Sequence, residues 1–476
     1  MKKSVLVFLL AAVAAAVTGG AWYTGQQLEP VIDGVIADIN AELERQLPGN
    51  NVRLERLSLT RGIFSSTVQY QLELGELAED LPSSAVVIVD HLEHGPLPWS
   101  RLSRFEWWPV AAYSQARLES NALTATLFDM AQGAEPITVR SALKYDRSFD
   151  IDVSVPALQH ADAQTTFTFS GFNGAFQGTV DSIRGHGEAA LLTLTALGPQ
   201  PAQVRLQGMR VDLDRARGET GLSLGEQSAG VARLELQLPD MERLTLDRID
   251  LRDRISQQAD RVSAEFASRI EQLSYGGKAV GAVRLDWSVR DLDAAASRQL
   301  LDVLASLDDD ADAPLPGSLQ EQQLQQALRA LLVKGPTVSL DQLALHTATG
   351  ESRLSIAAVL REPLQEPVLT VEQAILEYLS SLDVQLDVGL DSIRDLAAYH
   401  AQFDPNLDSA QAALDASMLA QMAGSTVVGM GLASLDGNTL ETRLSYANGE
   451  VTFNGTTQPL GDFLLMLGML MRAQYQ

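Results

Sequence analysis

"SLDVQLDVGL", residues Ser381–Leu390, decides the reading of this chain. Leu382, Val384, Leu386, Val388 and Leu390 alternate with polar or small neighbours, so an extended backbone puts all five on one face. A strand with one apolar and one polar face belongs to an antiparallel sheet with one side wet. The same alternation recurs on both sides of this stretch. Upstream it marks Leu354 and Ile356, Val338 and Leu340, and Val283, Leu285, Trp287 and Val289. Further back it marks Leu234, Leu236 and Leu238, then Ile151, Val153 and Val155, and first Val68, Tyr70, Leu72 and Leu74. Leu244, Leu246, Ile249 and Leu251 nearly continue it, with one extra residue that reads as a bulge. Downstream, Leu444 and Tyr446 lead to Asn448-Gly449, and Val451 and Phe453 return, which is a hairpin. Ser170-Gly171, Asn173-Gly174, Gly276-Gly277 and Gly350 supply turn chemistry between strands.

Helical periodicity punctuates these strands. Val31, Val35, Ile39 and Leu43 recur every four residues within Glu29 to Leu47, and Pro48-Gly49-Asn50 stops them. This segment reads as a core-packing helix, with a short stalk or partner contact as the alternative. Asp291 to Leu307 and Leu319 to Val333 flank an acidic, proline-containing link. Asp391 to Ala423 is largely helical, interrupted near Pro405. Pro459 to Arg472 is strongly apolar but too short to span a bilayer, so it reads as a helix packed on the sheet. A membrane-surface or partner-binding helix is the alternative there. The fold class is therefore α+β and β-dominated: a long antiparallel sheet, twisted or curled, with packed helices and one N-terminal transmembrane helix before it. The expected organisation is a signal-anchor at 1–25, a helical stalk at 26–50, a β-rich region at 51–290 and an α+β region at 291–476. Wherever helices leave the apolar face uncovered, the sheet presents a hydrophobic trough.

The N-terminus begins with Lys2 and Lys3, then runs uncharged to Leu28. Trp22-Tyr23 suits the far interface of a membrane span, and with Lys2 and Lys3 inside, the rest of the chain is expected outside the cytoplasm. A cleaved signal peptide competes, because Val5 to Val17 is short and Ala12-Val13-Ala14 offers a cleavage site. Apolar character beyond that site favours retention. The expected location is the inner membrane, single-pass, with the bulk of the chain in the periplasm.

The chain has 476 residues and a formal net charge of −26. Such acidity argues against nucleic acid, whose phosphates need Lys and Arg, and against broad adhesion to anionic lipid. The absence of cysteine excludes disulfides, zinc fingers and thiol nucleophiles.

No motif for catalysis, cofactor or metal emerges. His91-Leu92-Glu93-His94 has spacing i and i+3 rather than the i and i+4 of zincins, and Gly95-Pro96-Leu97-Pro98 follows, so it reads as a loop with hydrogen-bonded imidazoles. Asp308-Asp309-Asp310 and Asp312 lack calcium-loop spacing and read as an exposed link. Gly218, Gly221 and Gly225 lack a P-loop lysine and read as a turn before a strand at Leu222 to Leu224. Trp107-Trp108-Pro109 reads as core or interface packing, with a binding edge for an apolar ligand as the alternative.

Several stretches in order carry a likeness: Gly19-Gly20-Ala21-Trp22-Tyr23-Thr24-Gly25, Arg61-Gly62-Ile63-Phe64-Ser65-Ser66, His94-Gly95-Pro96-Leu97-Pro98 and Leu127-Phe128-Asp129-Met130-Ala131. Leu331 to Pro336, Ser445-Tyr446-Ala447-Asn448-Gly449 and Asn454-Gly455 complete it. Together they resemble the YdgA-like proteins of Gram-negative bacteria, a family of largely unknown function anchored in the inner membrane. The resemblance implies a retained anchor, a periplasmic body and self-association, and it supplies no catalytic residue. Within Arg61-Gly62-Ile63-Phe64, a bulged turn with Gly62 at positive φ is expected.

The expected function is a non-enzymatic, membrane-anchored envelope protein that scaffolds partners or handles an apolar ligand such as a lipid. An envelope hydrolase, or an accessory subunit docked through Leu460 to Met471, is the alternative. A hydrolase would require convergent polar groups, such as His94 beside a buried carboxylate and a nucleophile.

Overall fold

The computed structural model describes residues 33–34, 36–37, 39–41, 43, 50–62, 64–78, 85–304, 319–363, 370–401 and 409–473. These form two units, one of Met1–Arg217 with Leu304–Gln320 and the other of Gly218–Val303 with Glu321–Gln476. Each is built on a long antiparallel sheet with helices packed on it. The expected transmembrane segment at 1–25 lies outside the described residues, as does the acidic link at 308–317. Among the described residues, no helix is long and apolar enough to cross a membrane.

The first unit contains β1 (Arg53–Arg61), β2 (Ser65–Glu73), β3 (Ala85–His94), β4 (Ala112–Leu118), β5 (Thr138–Leu143) and β6 (Phe149–Val155). It continues with β7 (Leu158–Ala161), β8 (Thr165–Phe169), β9 (Phe172–Thr179), β10 (Ser182–Ala196) and β11 (Ala202–Arg217). Strands β1 to β6 pair in sequence order, and β6 then pairs with β9. The first half of β10 pairs with β9 and its second half with β8, while β11 lies on its other side. The short helices α1 (Trp99–Leu102) and α2 (Ala125–Met130) lie in the connections on either side of β4.

Alternation becomes burial here with little loss. Leu54, Val68, Tyr70, Leu72, Val86, Ile88 and Leu92 are almost wholly excluded from solvent. Ile39 and Leu43, at helical positions, close this core as their four-residue spacing predicts, and Ile36 packs against it. Asn40 holds them in register, donating to the Leu54 carbonyl at 2.9 Å and accepting from the Leu54 N–H at 2.7 Å. That side chain substitutes for a neighbouring strand at the edge of β1. Gly62 is not at positive φ, contrary to expectation. It is needed for close approach instead, since a Cβ there would lie 2.5 Å from the Ser65 carbonyl oxygen. Asn173-Gly174, expected as a turn, lies within β9. Gly174 leaves room for the Phe172 and Phe176 rings, 2.9 Å from where its Cβ would be.

The second unit contains β12 (Ser223–Gln237), β13 (Leu244–Gln258), β14 (Arg261–Tyr275), β15 (Lys278–Asp293), β16 (Thr337–His346), β17 (Glu351–Leu360) and β18 (Leu379–Gly389). β19 (Ser434–Asp436), β20 (Thr439–Ala447), β21 (Glu450–Phe453) and β22 (Thr456–Pro459) complete the sheet. Its helices are α3 (Ala294–Leu304), α4 (Leu319–Leu332), α5 (Val371–Tyr378), α6 (Leu390–Ala401), α7 (Ser409–Gly429) and α8 (Leu460–Ala473). β12 to β18 pair in order, β20 follows β18, and β21 and β22 follow β20.

The irregularity expected in β13 is present and crosses several strands. Arg248 adopts φ +52° and is skipped in both flanking ladders. Its neighbours change parity at the same level, with Leu246 opposite Leu234 and Leu273, and Ile249 opposite Val231 and Ile270. The shared break keeps the apolar residues of all three strands on one face. The hairpin at Asn448-Gly449 forms with both residues at positive φ, as a two-residue type I′ turn requires. Gly218 to Leu222 forms the expected turn, closed by the Gly218 N–H to the Leu222 carbonyl at 2.8 Å.

The helix expected from Asp291 begins only at Ala294. Leu292 prolongs the apolar face of β15 into a cluster with Val262 and Ala294, and Asp293 caps the helix by accepting from the Ala296 N–H at 2.8 Å. Helix α5 escaped the periodicity reading because it is short. It starts at a capping box in which Thr370 accepts from the Gln373 N–H and Gln373 accepts from the Thr370 N–H.

Candidate functional site

Three rows of apolar side chains cross the sheet of the second unit at right angles to its strands. The first runs Phe266, Trp287, Leu340, Ile356, Val384, Leu444, Phe453, each directly opposite the next. The second runs Leu285, Leu343, Leu354, Leu386. The third runs Val231, Ile249, Ile270, Val283, Leu345, and resumes at Val388 and Leu440 after Ser352. Phe266 and Trp287 stack with centroids 5.8 Å apart.

Among the described residues, helices cover this face at the strand ends. Helices α5 and α8 seal one end, where Ile375, Leu376, Phe463 and Leu464 pack on Leu382, Leu444, Tyr446 and Phe453. Helix α7 approaches the other, where a Cβ on Gly424 would lie 3.0 Å from Leu390. Helix α6 is tied to that end by Tyr399, which donates to the Tyr275 carbonyl at 2.9 Å. Between the two sets of helices the face has no helix over it among the described residues. Trp287, Leu343 and Leu386 keep 36–40% of their surface exposed. An apolar face this wide and only half covered is an unusual surface for a soluble body, and it is suited to an apolar partner.

The opposite face is polar. Ser339, Ala357, Asp383, Ser445 and Thr452 form one row across it. A shallow concavity of about 300 Å³ lies here, lined also by Gln385 and Arg443. Arg443 is engaged by Asp387 at 2.5 Å and Glu441 at 3.3 Å. The concavity assembles no nucleophile with a base.

The family model for a bacterial protein of unknown function, DUF945, matches residues 1–461. The chain belongs to the DUF945 family. Protein YdgA of Escherichia coli is 26% identical over 98% of this chain and 97% of that protein. Uncharacterized protein YihF of the same organism is 22% identical over 94% of this chain and 95% of its own length. An uncharacterized protein of Haemophilus influenzae is 26% identical over 36% of the chain. No solved structure matches.

In this DUF945 protein the His91–His94 segment is the end of strand β3, not a loop. On an extended strand, residues three apart point to opposite faces. His91 is accordingly exposed, while His94 turns inward and meets Ser66 Oγ at 2.8 Å. Burial, and secondarily the His91 charge, holds the His94 imidazole below its usual pKa. A buried carboxylate lies on the same face, at Asp90, but Ser114 donates to its Oδ1 at 2.5 Å. Four extended residues separate Asp90 from His94 by roughly 13 Å along the strand. Among the described residues Ser66 pairs with His94 while Asp90 is held by Ser114, so the buried carboxylate and the imidazole are not brought together. Asp90 Oδ2 is buried without a partner among the described residues, and burial, opposed by the Ser114 hydrogen bond, pushes the carboxyl pKa up to about 7. Sequence reading passed over Asp90, although an acid at an inward position between Ile88 and Leu92 was a visible signal.

Trp107 and Trp108 do not join a core: they are 63% and 83% exposed.

Proposed function

We propose that this DUF945 protein is a non-enzymatic protein of the cell envelope, tethered by its N-terminal segment, that shelters an apolar chain such as a lipid acyl tail on the second unit. The observation that carries this reading is the open middle of the apolar rows. An acyl chain laid along them would cover Trp287, Leu343 and Leu386 and remove large apolar area from water at about 25 cal/mol per Å². The polar face behind them supports a one-sided trough rather than a buried sheet.

The test is native mass spectrometry of the full chain, extracted from membranes and exchanged into a mild detergent. Wild type is expected to retain phospholipid, and Leu343→Glu with Leu386→Glu to lose most of it while remaining folded. Equal lipid on both proteins, or none on the wild type, sinks the reading.

A second reading, an accessory subunit of a membrane complex, rests on helix α8. Its inner side packs through Leu460 and Phe463, while Leu465 and Met469 face outward, 64% and 70% exposed. Substituting Leu465→Glu and Met469→Glu would abolish co-purification of a partner without unfolding the sheet. An unchanged pull-down removes this reading.

A further inference from the structure

One end of the first unit's sheet differs from the other in what its connections expose. At this end lie the β1–β2 turn, the β3–β4 connection, the β5–β6 turn and the β9–β10 turn, in register with one another. Each carries a large apolar side chain in solvent. The first has Phe64, the second Trp99, Phe105, Trp107 and Trp108, the third Tyr145, all between 60% and 83% exposed, and the fourth has Val180. Three of the chain's five tryptophans are here. At the opposite end the β4–β5 connection turns its apolar residues inward, with Leu123, Ala131 and Ile137 buried.

The exposed aromatics are presented by a braced loop. Ser100 donates its backbone N–H and its hydroxyl to Glu93 at 3.0 and 2.7 Å. The Val110 N–H donates to the Pro96 carbonyl at 3.1 Å, closing the base of the loop. Arg101 and Arg104 lie over the Tyr113 ring at 5.9 and 5.3 Å and pair with Glu106. Beneath them Val110, Tyr113 and Ala142 form a buried cluster.

Two further observations say what this end meets. The first is where the chain enters the unit. Leu43 lies in the core with Val52, Asn40 bonds Leu54, and Asp33 pairs with Arg56 at 3.0 Å. Descending residue numbers therefore advance along β1 toward Arg61, so the helical residues run toward the aromatic end as they approach Asp33. What precedes it is the uncharged run from Ser4 to Leu28. The second is local charge. Residues 95–111 hold Arg101 and Arg104 against Glu106 alone, and residues 144–147 hold Lys144 and Arg147 against Asp146, in a chain of net charge −26.

We propose that this end of the first unit seats on the lipid–water boundary of the bilayer, with Trp99, Trp107 and Trp108 at the headgroup level. Indole rings have an apolar body and a polar N–H and collect at that depth. The seat fixes the tilt of the body over the membrane, which a tether alone leaves free. The proposal rests on the tethered reading above, and the experiment separates the two.

The full chain carrying Trp22→Phe and Trp287→Phe, so that only these three tryptophans report, is reconstituted into phosphatidylethanolamine–phosphatidylglycerol vesicles. Lipid brominated near the top of its acyl chains is expected to cut tryptophan emission about two-fold, as for rings at the interface. Full emission in brominated vesicles, with acrylamide access equal to that in detergent, overturns the proposal. So does shielding that grows with protein density and ignores bromine, which would assign the surface to a second copy. Alkaline washing of the same vesicles reports the tether independently: a chain that resists extraction with unquenched tryptophans loses the seat and keeps the tether. Quenching in a chain that alkali releases supports the seat without it.

Discussion

Strands β1 to β6 and strands β13 to β20 share one pattern of alternation and reach opposite outcomes. In the first group Val68, Tyr70 and Leu72 are sealed, because Ile36, Ile39 and Leu43 and helix α2 pack into the same core. In the second group Val384 and Leu386 stand on an equally regular strand, yet among the described residues no helix lies over the middle of the face. Period-two hydrophobicity specifies which way a side chain points. Whether anything lies opposite depends on elements far away in the chain. The difference teaches that a closed core and an apolar platform are written in the same local code.

The sharpest test of that contrast is Leu72→Ala, expected to lower the stability of the first unit by about 2–5 kcal/mol in urea denaturation, since it empties a sealed site. A loss below about 1 kcal/mol would mean the face relaxes like an open one.

Next in size is Asp90. Its folded pKa of about 7 lies above the usual value near 3.8. Below about pH 4 the carboxyl is protonated in both states and contributes no slope. As pH rises from about 4 to 7, the unfolded chain gives up the proton that the folded state keeps, so stability falls, and above pH 7 the loss is complete. The fall is about 4 kcal/mol. Asp90→Asn should flatten this slope in denaturation curves at pH 4, 6 and 8; an unchanged slope would place the charge in a wetter site.

At the covered edge of the second unit, Thr370→Ala removes one half of the α5 capping box and should cost about 1 kcal/mol. Hydrogen exchange faster in Val371–Tyr378 than in the neighbouring β18 would show it. The smallest stability effect belongs to the open rows. Leu386→Ala is expected to shift the unfolding midpoint by less than about 1 kcal/mol, because much of the side chain is already in water. A loss matching that of Leu72→Ala would show the trough to be a core.

Much of this fold was legible residue by residue. The Asn448-Gly449 hairpin, the Gly218 turn, the helix α8 packed on the sheet and the irregularity in β13 all follow from short-range chemistry. Boundaries failed where two periods overlap. Leu292 continues a strand face and also precedes the helical alanines, so the helix was expected three residues too early. The site was less legible than the fold. His91 and His94 look paired in sequence, but pleating sends them to opposite faces. Trp107 and Trp108 look like core residues by composition, and only their place at the tip of a braced connection leaves them in solvent.

The sequence by itself determined the class of this protein. Alternation makes strands, glycine and asparagine make turns, and an uncharged leader with an acidic body limits the partners. The tertiary structure alone decided cover and exposure. Among the described residues it placed helices at the ends of the second sheet and not its middle, buried Asp90 without a second partner, and gathered the exposed aromatics at one end of the first sheet. The reason is that direction along a strand is set by neighbouring backbone dihedrals, while burial is set by residues tens or hundreds of positions away.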